Sequence, residues 1–189
     1  MIKFHKSLLW NDKFAKLKEH AFQFISVESY LEKTKRYKDP HIIMHRYTPN
    51  NMPSWLHTMF NKEVSVFQIF GISPGSVGRV HKDGINENSA LNIPLAFCDA
   101  GYMEWFPDMF TEVKIFNEYT KVRVIAEEND GSKINIGPNY RSIINEPNVI
   151  DTNTWHRINN LDNKNYRFIL SIRFADNLYP EDLYNYLNQ

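Results

Sequence analysis

Tyr166–Phe174, YRFILSIRF, is the stretch on which the reading of this chain turns. Its alternation is that of a β-strand, because successive side chains of a strand leave by opposite faces. One face carries Phe168, Leu170, Ile172 and Phe174; the other carries Arg167, Ile169, Ser171 and Arg173. A half-buried strand normally turns mixed charges and threonines to water. This one offers two arginines, a serine and no acid. The apolar face is expected to pack beneath helices bearing a Trp10–Phe14–Leu17 stripe, and the arginine face either meets solvent or points into the interior. Two guanidiniums there would be costly without an anion to meet them.

Working outward, the chain from Val64 to Phe174 reads as short strands between turn-forming clusters. VSVFQIFGI, VGRVHKDG, ALNIPLAF, YMEWF, EVKIFNEY, KVRVIAEE, KINIG, NVIDT, WHRIN and YRFILSIRF are separated mostly by Gly, Asn, Asp or Pro. Many short strands with such punctuation predict a β-sandwich or jelly roll. The first 40 residues read as helical, since Trp10, Phe14, Leu17, Ala21 and Phe24 recur at steps of three and four. A second helix is expected after Ser29, with Glu32 completing a capping box and Pro40 closing it. HIIMHRY reads as a strand, and PSWLHTMF and PEDLYNYL as helices opened by proline. No repeat or linker interrupts the chain, so residues 1–189 are read as one domain: helical support over 1–60, a β core over 64–174 and a helical tail over 175–189.

Composition narrows the function classes. The chain has 22 basic and 22 acidic residues, so no global field favours nucleic acid or an anionic membrane. Cys98 is the only cysteine, which excludes an intramolecular disulfide and a cysteine-based zinc site. The apolar run in MIKFHKSLLWNDKF is too short for a signal-peptide core, and no stretch approaches the roughly 20 apolar residues of a membrane span. A soluble, cytoplasmic protein with no nucleic-acid or membrane partner is the expectation; oligomeric state is not legible.

Two further stretches carry chemistry. In GRVHKDG, His81 and Asp83 are two apart and share a face if the strand is regular. In DTNTWHRINN, His156 lies just before the arginine strand. Two histidines and a carboxylate form the facial set that suits ferrous iron and leaves coordination positions open. The bland alternatives are a surface turn ahead of Gly84 and a structural histidine. Arg167 adds weight to the set: a hairpin through NNLDNKN would lay its strand beside that of His156, and its planar fork fits a carboxylate. A metal-chelating dicarboxylic keto acid would use both features.

PGSVGRVHKDG, ALNIPL, WHRINN and RFILSIRF resemble the Fe(II)- and 2-oxoglutarate-dependent oxygenases, nearest the aspartyl/asparaginyl and prolyl hydroxylases and their small phage and bacterial members. The resemblance spans roughly residues 64–174. It implies a double-stranded β-helix, a cupin-like jelly roll, with His81, Asp83 and His156 as iron ligands and catalytic centre. It also implies Arg167 on the distal carboxylate of 2-oxoglutarate and Asn92 as a polar contact to that co-substrate. The family often places a serine two residues after the arginine, where Ile169 stands here. Ser171 and Arg173 follow on the same face, and Arg173 is therefore the rival anchor. Asp83 points to hydroxylation, since halogenating relatives have a small residue at that position. The implied activity is hydroxylation of a small molecule or a protein side chain, with dioxygen consumed and succinate and carbon dioxide released. A non-catalytic cupin-like protein holding a metal or an anion is the alternative.

Around this set, Arg79 is a candidate contact to an anionic substrate if its strand is regular, or equally a rim salt bridge, and Trp105 is a candidate pocket wall or core residue. Trp155 is expected to face away from His156. Asp151 and Asn160 are candidates to orient His156 or a neighbour, Asp151 alternatively capping a turn. The remaining histidines read as structural or surface, Cys98 as a small core residue, and residues 117–147 as lid segments.

Overall fold

The alternation in Tyr166–Phe174 does produce a strand, over Arg167–Phe174, and it is an inner strand of its sheet. The computed structural model describes residues 5–37, 41–83, 87–106, 112–115, 123–126, 138 and 140–189; of 36–37, 112–115 and 123–126 it describes the backbone alone. In chain order the elements are β1 (His5–Ser7), α1 (Asp12–Phe22), α2 (Val27–Tyr37), β2 (His41–Tyr47), α3 (Ser54–Phe60), β3 (Val64–Ile72), β4 (His81–Lys82), β5 (Ser89–Ala96), β6 (Tyr102–Trp105), β7 (Glu112–Ile115), β8 (Arg123–Ala126), β9 (Tyr140–Ser142), β10 (Asn148–Asp151), β11 (His156–Asn159), β12 (Arg167–Phe174) and α4 (Pro180–Leu187). A 3₁₀ turn at Pro49–Asn51 precedes α3.

Among the described residues the strands form two six-stranded antiparallel sheets, ordered β1-β10-β5-β12-β3-β2 and β7-β8-β4-β11-β6-β9. The first sheet buries both faces. Its outer face joins Phe168, Leu170, Ile172 and Phe174 to Leu91, Ile93, Phe67 and Ile69, and covers them with Phe14, Leu17 and Ala21 of α1 and Leu183 and Leu187 of α4. At about 25 cal/mol per Å² of apolar surface removed from water, this layer supplies much of the drive to fold. The inner face meets the second sheet through Ile72 and Ile169 against Ile158, and through Ala90 and Ile150 against Met103 and Trp105.

Local chemistry explains the helix ends. Asn11 caps α1 by accepting the Phe14 N–H at 3.0 Å, so the buried stripe starts at Phe14. Trp10 lies before that cap and is 43% exposed; it is not part of the stripe. α2 starts at Val27 because Ser26, rather than Ser29, caps it: its hydroxyl accepts the Ser29 N–H and its carbonyl the Tyr30 N–H. Pro53 and Pro180 open α3 and α4 as expected. Pro40, the KINIG strand at 133–137 and much of 117–147 lie outside the described residues. No helix among the described residues is long and apolar enough to cross a membrane.

The expected hairpin between His156 and Arg167 is corrected. β11 and β12 belong to different sheets, and the connection between them crosses from one to the other. Asparagines hold the crossing. Asn160 Nδ2 donates to the Ser73 carbonyl at 2.8 Å, and Asn163 Nδ2 donates to the carbonyls of Phe97 and Ala100 at 2.9 and 3.3 Å. Gly101, at φ +84°, lies against this group. A Cβ there would stand 2.6 Å from Asn160 Oδ1 and 3.4 Å from Arg167 Nη1.

Candidate metal centre

β4 is only two residues long, and it pairs with β11 through His81 and His156 themselves. Register partners share a face, so both imidazoles leave the second sheet on its inner side, with ring centroids 4.5 Å apart. His81 Nδ1 lies 2.8 Å from the Arg79 carbonyl, and His156 Nδ1 lies 2.8 Å from the Thr154 carbonyl. A carbonyl only accepts, so each Nδ1 carries the proton and donates it. Each Nε2 is thereby left as the nitrogen with the lone pair, the arrangement that metal-binding histidines need.

Asp151 organises the turn before His156. Its Oδ1 accepts the Asn153 and Thr154 N–H groups at 2.9 and 3.1 Å, and its Oδ2 accepts the Thr154 hydroxyl at 2.7 Å. Asp151 thus both caps the turn and aims the carbonyl that orients His156. Asn160 does not take part; it belongs to the crossing. Thr152, fully buried, ties the adjoining loops: its carbonyl accepts the Asp83 N–H at 3.0 Å and its hydroxyl donates to the Glu87 carbonyl at 2.7 Å.

Asp83 completes the set. Its Oδ1 is 3.5 Å from His81 Nε2 and its Oδ2 is 4.0 Å from His156 Nε2. One ligand atom from each residue falls within 4.8 Å of the others. Two donors in adjacent positions about 2.1 Å from one ion stand about 3 Å apart, so a small contraction would close the set on a metal. Burial pushes the Asp83 carboxyl upward, but the Arg173 guanidinium beside it holds it well below the usual range. The donor set is therefore two neutral nitrogens and an ionised carboxylate.

The two arginines of β12 have different surroundings. Arg173 Nη2 donates to Asp83 Oδ2, and its Nε lies 2.9 Å from Glu87 Oε2, without the alignment of a hydrogen bond. Burial opposes its charge, while Asp83 and Glu87 favour it. Arg167 is 1% exposed, and its Nε and Nη1 have no hydrogen-bond partner. It lies against the Cys98 sulfur, and burial lowers its pKa. The Cys98 thiol donates to the carbonyls of Ala96 and Phe168; burial raises its pKa, which marks it as a packed core group.

Between the arginines, Ser171 is in register with Asn92 on one side and Gln68 on the other, and Asn92 with Asn148 beyond. All four are buried, and the Oδ1 atoms of Asn92 and Asn148 have no hydrogen-bond partner. Gln68, Asn148 and Glu87 were not singled out from sequence. A lone glutamine inside VSVFQIFGI was the available signal for the first. Glu87 had none, because its partner Arg173 is reached only through the fold.

One expectation needs correction. Arg79 is exposed, because the backbone before His81 is not a regular strand and does not aim its side chain inward. Trp105 is fully buried among Ala90, Met103, Ile144 and Ile150, and its Nε1–H donates to the Asp151 carbonyl at 3.2 Å. As the register partner of His156 it stands on the same face one strand over, and its burial fits the core reading given for it. Trp155 is buried as expected.

A ferrous ion fits the donor set, and the two unanswered donors of Arg167 fit an anion. Comparison with protein-family models and with curated proteins finds no match for the chain.

Proposed function

We propose that this protein is an Fe(II)- and 2-oxoglutarate-dependent dioxygenase built on a double-stranded β-helix, hydroxylating a small molecule or a protein side chain. The observation that carries the reading is the convergence of His81, Asp83 and His156 on the inner side of one sheet, while the opposite sheet buries an arginine with two unanswered donors. The strand order supports the fold: from β3 to β6, and again from β9 to β12, the chain alternates between the two sheets.

His81, Asp83 and His156 would hold the metal on one face and leave its other positions open. Arg167 would receive the distal carboxylate of 2-oxoglutarate, since Arg173 is already engaged by Asp83 and Glu87. Once bound, iron and 2-oxoglutarate would activate dioxygen, the oxidant: one oxygen atom would go to succinate as 2-oxoglutarate loses carbon dioxide, and the other to the hydroxylated C–H bond. Ile72, Ile158 and Ile169 help keep water from the interior.

The test is anaerobic addition of Fe(II) and then 2-oxoglutarate, followed by visible absorption. The wild type should bind the metal and develop a charge-transfer band only with both present. His81→Ala should bind no metal, and Arg167→Met should bind metal without the band. Metal binding with no response to 2-oxoglutarate would leave a non-catalytic metal protein and refute the dioxygenase reading.

A further inference from the structure

We infer that Glu87 is a positioning residue for the metal centre, acting through Arg173 on Asp83. The inference rests on the metal-binding reading above. Arg173 lies between two carboxylates: Nη2 reaches Asp83 Oδ2, while Nε lies 2.9 Å from Glu87 Oε2. The Arg173 and Glu87 side chains are 10% and 27% exposed, so the pair is partly shielded from screening by solvent.

Two consequences follow. The first is geometric. Arg173 occupies Oδ2 and leaves Oδ1, the oxygen nearer His81 Nε2, to act as the ligand. Glu87 gives the guanidinium a second carboxylate, at Nε, so Arg173 keeps a charged partner when a metal draws Asp83 forward. The second is a matter of charge. With neutral histidines, Asp83 and Arg173 alone cancel, and a dication would approach a neutral site with a guanidinium at its edge. Glu87 returns the cluster to one net negative charge. Outer partners of metal ligands commonly account for about 10–100-fold in metal affinity.

The Glu87 backbone is held independently, since its carbonyl accepts the Thr152 hydroxyl. Changing its side chain therefore leaves the loop anchored. The experiment measures Co(II) binding to the full chain by titration of the cobalt absorption bands in four proteins: wild type, Glu87→Gln, Arg173→Gln and the double variant. Circular dichroism confirms that each is folded. Glu87→Gln should weaken Co(II) binding about 10–100-fold in the wild-type background. It should have less than about a threefold effect in the Arg173→Gln background, because its route to Asp83 is gone. Equal losses in both backgrounds, or no loss in the first, would overturn the inference and leave the metal-binding reading intact. A wild type that binds no Co(II) would overturn both.

Discussion

Replacing Arg167 by methionine should make the protein more stable and at the same time unable to bind 2-oxoglutarate. The guanidinium is 1% exposed, and its Nε and Nη1 have no hydrogen-bond partner. Each buried donor left unanswered costs about 1–3 kcal/mol, so two weigh roughly 2–6 kcal/mol against the co-substrate-free fold. Methionine keeps most of the volume and removes the charge, but gives up the contact with Cys98 and some packing. Exchanging buried charge for apolar side chains has stabilised other proteins by about 1–4 kcal/mol, and a gain of that size is expected here. In a chain of this length each kcal/mol moves Tm by about 2–4 °C. The assay is urea unfolding with Mn(II) present to prevent turnover, with and without 2-oxoglutarate. At a hundredfold excess over Kd, the co-substrate should stabilise wild type by about 2.7 kcal/mol and leave the variant unchanged. A variant that loses more than about 1 kcal/mol without co-substrate would refute the reasoning, because the guanidinium would then be satisfied by the fold itself.

Gly101→Ala should destabilise by about 1–3 kcal/mol, since alanine is strained at φ +84° and its Cβ would press on Asn160 and Arg167. It should also weaken 2-oxoglutarate binding; an unchanged urea midpoint and unchanged affinity would count against this account of the crossing. His45 stacks on Phe24 at 3.7 Å and its Nε2 has no hydrogen-bond partner, and burial, with the charges of His20 and Lys33, lowers its pKa below 6.5. Unfolding lets it take a proton the folded state resists, so its contribution is intact above pH 6.5 and is lost as pH falls through 6.5 toward the folded pKa. His45→Phe should flatten that part of the stability profile; identical wild-type and variant slopes between pH 5 and 7 would disprove the assignment.

The parts of the fold set by local alternation were legible. Period two in Arg167–Phe174 separated an outer apolar face from an inner polar one, and His81, Asp83 and His156 do converge. What escaped depends on contacts between distant residues. NNLDNKN has the composition of a hairpin turn, yet Asn160 and Asn163 spend their amides on the carbonyls of Ser73, Phe97 and Ala100, and this carries the chain to the other sheet. The alternation put both arginines on one face but did not give their neighbours; Arg173 met Asp83 and Glu87, and Arg167 met Cys98. Arg79 parts from the face of His81 for a related reason: sharing it required a regular strand, and the backbone before His81 is irregular.

The brevity of β4 has a consequence for motion. Two residues cannot hold a strand in place by themselves, and His81 and Lys82 are gripped from the far side by Ile125 and Val124 of β8, which itself pairs with β7. The β7–β8 ribbon is thus a splint for the strand that carries the first histidine. Native-state amide exchange at His81 and Lys82 should therefore follow the opening of that ribbon rather than global unfolding. Any molecule that presses the ribbon down would steady His81 without touching it.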